Sequence, residues 1–384
     1  MQFWLNPKAR LRRLMDSVLV LTSGPVRRQK RTILRGTDAQ FALRGTLRVS
    51  RSRCPRAVRA SGLYVSERVF FKTKIPRWGR DWKTARDRDP MLMSDFPGQA
   101  LQLNPTLRST APRVVSGAAA YFSESAFWAQ DPLTRVWFPV SKSARDIRLV
   151  RTLTTSQSIV SLNSSQRARL LFWRVLVPKD LGKVRKLWSL RLCRAQQEFE
   201  ERGSVLVESL APPPLVEALS IYYERLQRQG NMEITAQKYV LYNDLVGRLY
   251  LRAFATLVQR LVGEGIRGTY PYFYAYQPKA SLDTHTDLEQ CQFSLALQLS
   301  YRPKRASASR VWPLWIQDLE DKKNFRAMRT RLGDAVLFRG RDLSHRRDRA
   351  PPGHVSSSVL FHYVDNEHRG PMLMPKNDQT QWWD

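Results

Sequence analysis

Two hydrophobic periods divide the second half of the chain. The run GSVLVESL (203–210) reads as a strand, and APPP (211–214) opens a helix in which Leu215, Leu219, Tyr222 and Leu226 return at helical spacing until Gly230. A second helix carries Leu249, Phe254, Leu257 and Leu261 on its apolar stripe, with Asn243 as the expected N-cap and Gly263 as the stop. Beyond Gly268 the texture changes to short runs rich in Tyr, Phe, Val and Leu: TYPYFYAYQ (269–277), CQFSLALQLSY (291–301), SRVWPLWIQ (309–317), AVLFRGR (335–341) and SSSVLFHYV (356–364). Short strands at near-regular intervals, separated by Gly, Pro, Asp and Ser, predict a sandwich or barrel. Helices first and strands afterwards make residues 197–384 an α+β domain whose β part is a closed or double-sheet structure.

The first half keeps neither period. Residues 1–62 contain RRQKR (27–31) and LRVSRSRCPR (47–56) and read as a basic, flexible leader or arm. Residues 63–196 hold Trp78, Trp82, Trp128, Trp137, Trp173 and Trp188, so they contain some core, of a fold the sequence does not specify. Charge separates the halves further: residues 197–384 carry 25 Lys and Arg against 22 Asp and Glu, so about +28 of the formal +31 lies in residues 1–196. That excess fits a solvated Arg-rich surface, an organelle-targeting leader, or a surface for nucleic acid or another acidic partner. No apolar run approaches the roughly 18 to 20 residues of a membrane span. The three cysteines, Cys54, Cys193 and Cys291, suggest neither a disulfide framework nor a zinc motif. An intracellular protein, cytoplasmic in the simplest case and without a membrane partner, is expected.

Candidate chemistry is concentrated near the C-terminus, where all five histidines lie. In THTDLEQC (284–291), His285 and Asp287 are two residues apart and share one face of an extended segment. One further imidazole would complete a set of two histidines and one carboxylate on one side of a metal ion, an arrangement that suits Fe(II) and leaves positions open for substrates. The tripeptide HxD alone is common. After it, Phe293, Leu295, Leu297 and Leu299 alternate as in a half-buried strand. Farther on, Gly333-Asp334 is expected to make a hairpin turn into AVLFRGR, with His345 just beyond that strand.

This arrangement resembles the Fe(II)/2-oxoglutarate-dependent dioxygenases, especially the prolyl 4-hydroxylase-like branch, over about residues 197–384. The resemblance implies a double-stranded β-helix (jelly roll) with flanking helices, and His285, Asp287 and His345 as iron ligands. It implies 2-oxoglutarate as cosubstrate and O2 as oxidant, with ascorbate a further candidate. The reaction would hydroxylate an unactivated C–H bond of a peptide side chain or a small metabolite, releasing succinate and CO2. In that branch a final-strand pattern G-x-[RK]-x-S holds the far carboxylate of the cosubstrate. Here Gly353 and Ser357 match, and Val355 takes the basic position. A carboxylate buried in a barrel needs a cation, so Arg347 is expected to supply it, then Arg349, with His354 behind them. Tyr276 resembles the tyrosine that precedes the family's HxD and donates to the cosubstrate. If Ser357 faces inward, His354 and His362 face outward, and His362 is then structural. The segment RPKRASASR (302–310) is expected to be an exposed loop and a candidate lid. Two other functions fit the same residues: a catalytically inactive jelly-roll binding module, signalled by Val355, and a nucleic-acid-associated protein acting through its basic N-terminal half.

Overall fold

The computed structural model describes residues 88–92, 96–122, 125–141, 150, 153, 159–303 and 311–370. The predicted leader (1–62), most of the predicted lid loop and residues 371–384 lie outside the described residues.

Ahead of the predicted α+β domain come two small antiparallel pairs. Strand β1 (Leu101–Leu103), β2 (Ser125–Gln130), β3 (Trp137–Ser141) and β4 (Leu176–Pro178) pair as β1 with β4 and β2 with β3. Helix α1 (Ser164–Phe172) begins at a reciprocal cap in which Asn163 and Gln166 satisfy each other's backbone N–H. Charge is neutralised internally here. Arg174 is buried and bonds Asp89 at 2.9 Å, with Asp131 at 3.9 Å from its Nε. Burial works against the Arg174 charge, yet these two carboxylates hold its pKa above the ordinary arginine value.

The predicted border at 196/197 falls inside helix α2 (Gly182–Arg202), which buries Val184, Trp188, Leu192, Ala195 and Phe199 on one side. Strand β5 (Ser204–Val207) and helix α3 (Pro213–Arg228) follow as the pattern predicts, the helix starting on Pro213 and Pro214. Helix α4 (Leu245–Val262) stops at Gly263, whose φ of 84° is a conformation that side chains other than glycine resist. Its N-cap is Asp244, not Asn243: the Asp244 carboxylate accepts the Gly247 N–H at 2.9 Å, while Asn243 sits in the left-handed region just before it. No described helix is long and apolar enough to cross a membrane.

The remaining strands are β6 (Glu233–Ile234), β7 (Lys238–Tyr242), β8 (Ile266–Tyr276), β9 (Leu282–His285), β10 (Phe293–Arg302), β11 (Leu314–Gln317), β12 (Phe325–Met328), β13 (Ala335–Phe338), β14 (His345–Arg347) and β15 (Val355–Asp365). They form a large antiparallel sheet, β5-β13-β10-β15-β8-β7-β6, and a small one, β12-β11-β14-β9. From β8 onward the chain passes repeatedly from the large sheet to the small one and back. The turn at Gly333-Asp334 therefore joins β12 of one sheet to β13 of the other, and is not the expected hairpin.

One apolar cluster fills the space between the sheets. Tyr274, Tyr276, Ala296, Val336, Phe338 and Leu360 enter it from the large sheet, and Leu314, Ile316 and Met328 from the small one. The other face of the large sheet carries the helices: Phe199 meets Phe293, Tyr223 stacks on Phe273 at 4.0 Å, and Phe254 meets Phe361. Strand β10 is consequently buried on both faces rather than half-buried, because Ala296 points between the sheets while Leu295 and Leu297 point to the helix side, and Leu299, at a register shift, is buried as well. Each of those three leucines is fully buried, a contribution of about 1.5–3 kcal/mol apiece before chain entropy is counted.

Candidate metal centre

Strands β9 and β14 are neighbours in the small sheet, and their register sets His285 directly opposite His345. A cross-strand pair projects its side chains from the same face of the sheet, so the two imidazoles meet with ring centres 4.3 Å apart. Asp287 lies two residues past the end of β9. Its backbone N–H donates to the Gly340 carbonyl at 2.8 Å, which ties this turn to the loop after β13. Asp287 Oδ1 then stands 3.5 Å from His345 Nε2 and 3.9 Å from His285 Nε2. One ligand atom from each residue lies within 4.8 Å of the other two.

The other nitrogen of each imidazole is occupied. His285 Nδ1 lies 2.8 Å from the Asp283 carbonyl, and His345 Nδ1 lies 3.1 Å from the Leu343 carbonyl. A carbonyl can only accept, so each Nδ1 carries a proton and it is Nε2 of each ring that faces the Asp287 oxygen. Such backbone partners are what orients metal-binding histidines. Burial, followed by repulsion from His345, lowers the His285 pKa and favours the neutral form. Burial opposes ionisation of Asp287, but His345, His362 and Ser294 outweigh it and hold the carboxyl well below the usual carboxylate range.

The structure sorts the predicted anion-binding residues. Arg347 on β14 is buried in the space between the sheets: its guanidinium carbon lies 4.9 Å from the centre of the Trp312 ring and 5.7 Å from that of Tyr276. One Arg347 nitrogen donates to the Trp312 carbonyl at 3.0 Å, and its Nε has no hydrogen-bond partner among the described residues. Tyr276 is buried beside it, between Tyr274 and Trp312. Arg349 is exposed, because β14 has ended and the chain has turned toward β15.

The expected parity of β15 is inverted. Leu360 belongs to the cluster between the sheets and Phe361 packs on α4, so alternation puts Ser356, Ser358 and His362 on the inner side and Val355 and Ser357 on the outer one. Ser357 accordingly pairs with Ser300 at 2.6 Å instead of reaching the metal site. His354, just before the strand, meets the Tyr301 hydroxyl at 2.6 Å. His362, expected to face outward, is buried with Nδ1 2.9 Å from Ser294 Oγ, and that hydroxyl donates to Asp287 Oδ2 at 2.8 Å.

The solved structures similar to this chain include three enzymes. The prolyl 4-hydroxylase of Pseudomonas putida aligns at 17% identity over 45% of this chain and 98% of its own, with a TM-score of 0.39. SnoK, a non-heme α-ketoglutarate-dependent carbocyclase of nogalamycin biosynthesis, aligns at 16% over 45% of this chain and 83% of its own (TM-score 0.38). HygX of Streptomyces hygroscopicus, with nickel and 2-oxoglutarate bound, aligns at 14% over 45% and 87% (TM-score 0.36). No family model and no curated protein matches the sequence.

Two features of the site escaped the sequence pattern. The even-numbered tyrosines of TYPYFYAYQ, Tyr270, Tyr272, Tyr274 and Tyr276, line one face of β8, which alternation in the sequence could have revealed. Lys238 on β7 is paired with Tyr276 and reaches over this face, its ammonium 5.4 Å from the Tyr272 ring centre and 5.9 Å from that of Tyr274. Burial lowers the Lys238 pKa, opposed by Asp287. Its only sequence signal was the short apolar run YVLY that follows it, too short to be read alone.

Proposed function

We propose that this chain is an Fe(II)- and 2-oxoglutarate-dependent oxygenase built on a jelly roll. The strand order supports the fold: eight strands from β8 to β15 distribute as β13-β10-β15-β8 in one sheet and β12-β11-β14-β9 in the other. The observation that carries the chemistry is the donor set. Two Nε2 atoms and one carboxylate oxygen converge, and both Nδ1 atoms are committed to backbone carbonyls. Two imidazoles and one carboxylate suit Fe(II) and leave positions free for a chelating oxo acid and O2.

His285, Asp287 and His345 would hold the iron, and the buried Arg347, with one nitrogen unpartnered, would receive the far carboxylate of 2-oxoglutarate. When bound, iron and cosubstrate supply the oxidising chemistry that converts 2-oxoglutarate to succinate and CO2. The residues of the chain orient and enclose. The backbone carbonyls of Asp283 and Leu343 fix the histidine tautomers, Phe338 packs edge-on against the His345 ring, and Trp312 and Tyr276 cover the arginine. Tyr272, Tyr274 and Lys238 form the wall against which a substrate would rest, and hydroxylation of a peptide side chain or small metabolite is the outcome we infer.

Incubation of purified protein with Fe(II), 2-oxoglutarate and air, with succinate measured, tests this reading. Wild type should release succinate even without added substrate, through slow uncoupled turnover, and Asp287→Ala should release none above the protein-free control. Equal release by both proteins would remove the proposal.

A further inference from the structure

The carboxylate of Asp287 has two oxygens, and its surroundings treat them differently. Oδ1 faces the two Nε2 atoms. Oδ2 accepts the Ser294 hydroxyl at 2.8 Å, and Ser294 Oγ lies 2.9 Å from His362 Nδ1. An ionised carboxylate cannot donate, so the single Ser294 proton belongs to Oδ2. The remaining contact must then be a bond from His362 Nδ1–H to Ser294 Oγ. Ser294 on β10 and His362 on β15 are registered partners on the inner face of the large sheet, and both are buried.

A second feature guards the same oxygen. A Cβ on Gly340 would run into Asp287 Oδ2, and would stand 2.6 Å from Ser294 Oγ and 2.8 Å from the Cys291 carbonyl. Gly340 is not among the residues with positive φ, so its backbone would accept alanine. The bare Cα is needed here for space. The loop that supplies it also takes the Asp287 N–H through the Gly340 carbonyl and returns the Arg341 N–H to the Cys291 carbonyl at 3.1 Å.

From this we infer that His362 and Ser294 form a positioning relay that occupies Oδ2, so that Asp287 offers the metal one oxygen instead of two. The inference rests on the oxygenase reading for its purpose. A bidentate carboxylate would fill one of the three positions that a chelating oxo acid and O2 require, whereas a monodentate one leaves all three. Burial drives the His362 pKa down to about 4, which keeps the ring neutral at ordinary pH and leaves only one ring proton, the one the relay uses.

Two measurements on the full-length chain test the relay. The first reads the tautomer without any metal, by nitrogen NMR of protein labelled at histidine. Wild-type His362 should be protonated at Nδ1, and Ser294→Ala, which removes a single oxygen, should change that pattern at His362 while leaving the folded spectrum elsewhere intact. The Nε2-protonated form in wild type would overturn the relay. The second reads coordination by Co(II) titration followed in the visible spectrum. Ser294→Ala and Gly340→Ala should each weaken Co(II) binding about 10- to 100-fold and shift the absorption bands. His362→Gln, which can still donate from its amide, should recover part of the loss seen in His362→Phe. Affinities and spectra equal to wild type in Ser294→Ala and Gly340→Ala would overturn the relay. If wild type takes up no Co(II), the oxygenase reading fails, and the histidine tautomer still decides the relay by itself.

Discussion

His345 Nε2 lies 3.5 Å from Asp287 Oδ1, although one residue opens strand β14 and the other stands in the turn after β9. Their meeting depends on two strands of only three and four residues, held in register by the pairing of His345 with His285. Replacing either residue should therefore weaken metal uptake and leave the fold in place. Asp287→Ala and His345→Ala are each expected to lower Co(II) affinity at least 100-fold, on the order of 3 kcal/mol or more, with an unchanged far-ultraviolet spectrum. Titration with Co(II) checks this, and retention of wild-type affinity by Asp287→Ala would contradict it.

Arg347 is the buried cation between the sheets, and Lys238 is the more open one above the tyrosine face. Loss of a charge-assisted hydrogen bond to a carboxylate costs about 1.5–3 kcal/mol. Arg347→Met should thus raise the 2-oxoglutarate concentration needed for half-maximal succinate release by about 10- to 150-fold, and Lys238→Met should raise it far less. The reverse order would assign the far carboxylate to Lys238.

His362 gives stability a defined pH dependence. Its pKa is about 4 in the folded chain against 6.5 for the free side chain. Between those values the unfolded chain binds the extra proton, so this contribution is fully present above pH 6.5 and is lost as pH falls toward 4. The full effect is at most about 3 kcal/mol. Urea denaturation of metal-free protein at pH 7.5 and pH 5.0 should show wild type losing more stability than His362→Gln. Equal losses would place the titrating group elsewhere.

Arg174 joins Asp89 and Asp131 inside the region that precedes the two-sheet domain. Arg174→Met leaves two buried carboxylates without their cation, a change that typically costs about 3–5 kcal/mol. A fall in thermal midpoint, with metal binding retained at low temperature, is the expected result. An unchanged midpoint would show that the pair contributes no net stability.

Helices α3 and α4 and the longer strands were legible because their periods are sustained: α3 and α4 follow their apolar stripes, and β8, β10 and β15 are ten or eleven residues long, whereas α1 and α2 went unread in the basic half. Strands β9 and β14 were not, since three or four residues carry too little alternation to register. His285, Asp287 and His345 were nonetheless picked out as one candidate group, and the structure brings them together, because residue type and spacing name them without any strand being drawn. Facing was the part the pattern left open. Every residue of β15 from Val355 to Val364 is buried, so hydrophobicity could not say which parity looks inward. Choosing Ser357 as the inner residue sent His362 to the wrong side, and with it the relay to Asp287. Lys238 was missed for a related reason, as its strand gains meaning only when set beside the tyrosines of β8.

The central claim is that one Fe(II) ion is held by His285, Asp287 and His345 and also chelated by 2-oxoglutarate. Anaerobic addition of Fe(II) and then 2-oxoglutarate to the purified chain tests it most directly. The account predicts a visible charge-transfer band that saturates at one iron per chain and is missing in Asp287→Ala and His345→Ala. A featureless spectrum for wild type, or the same band in both variants, would contradict it.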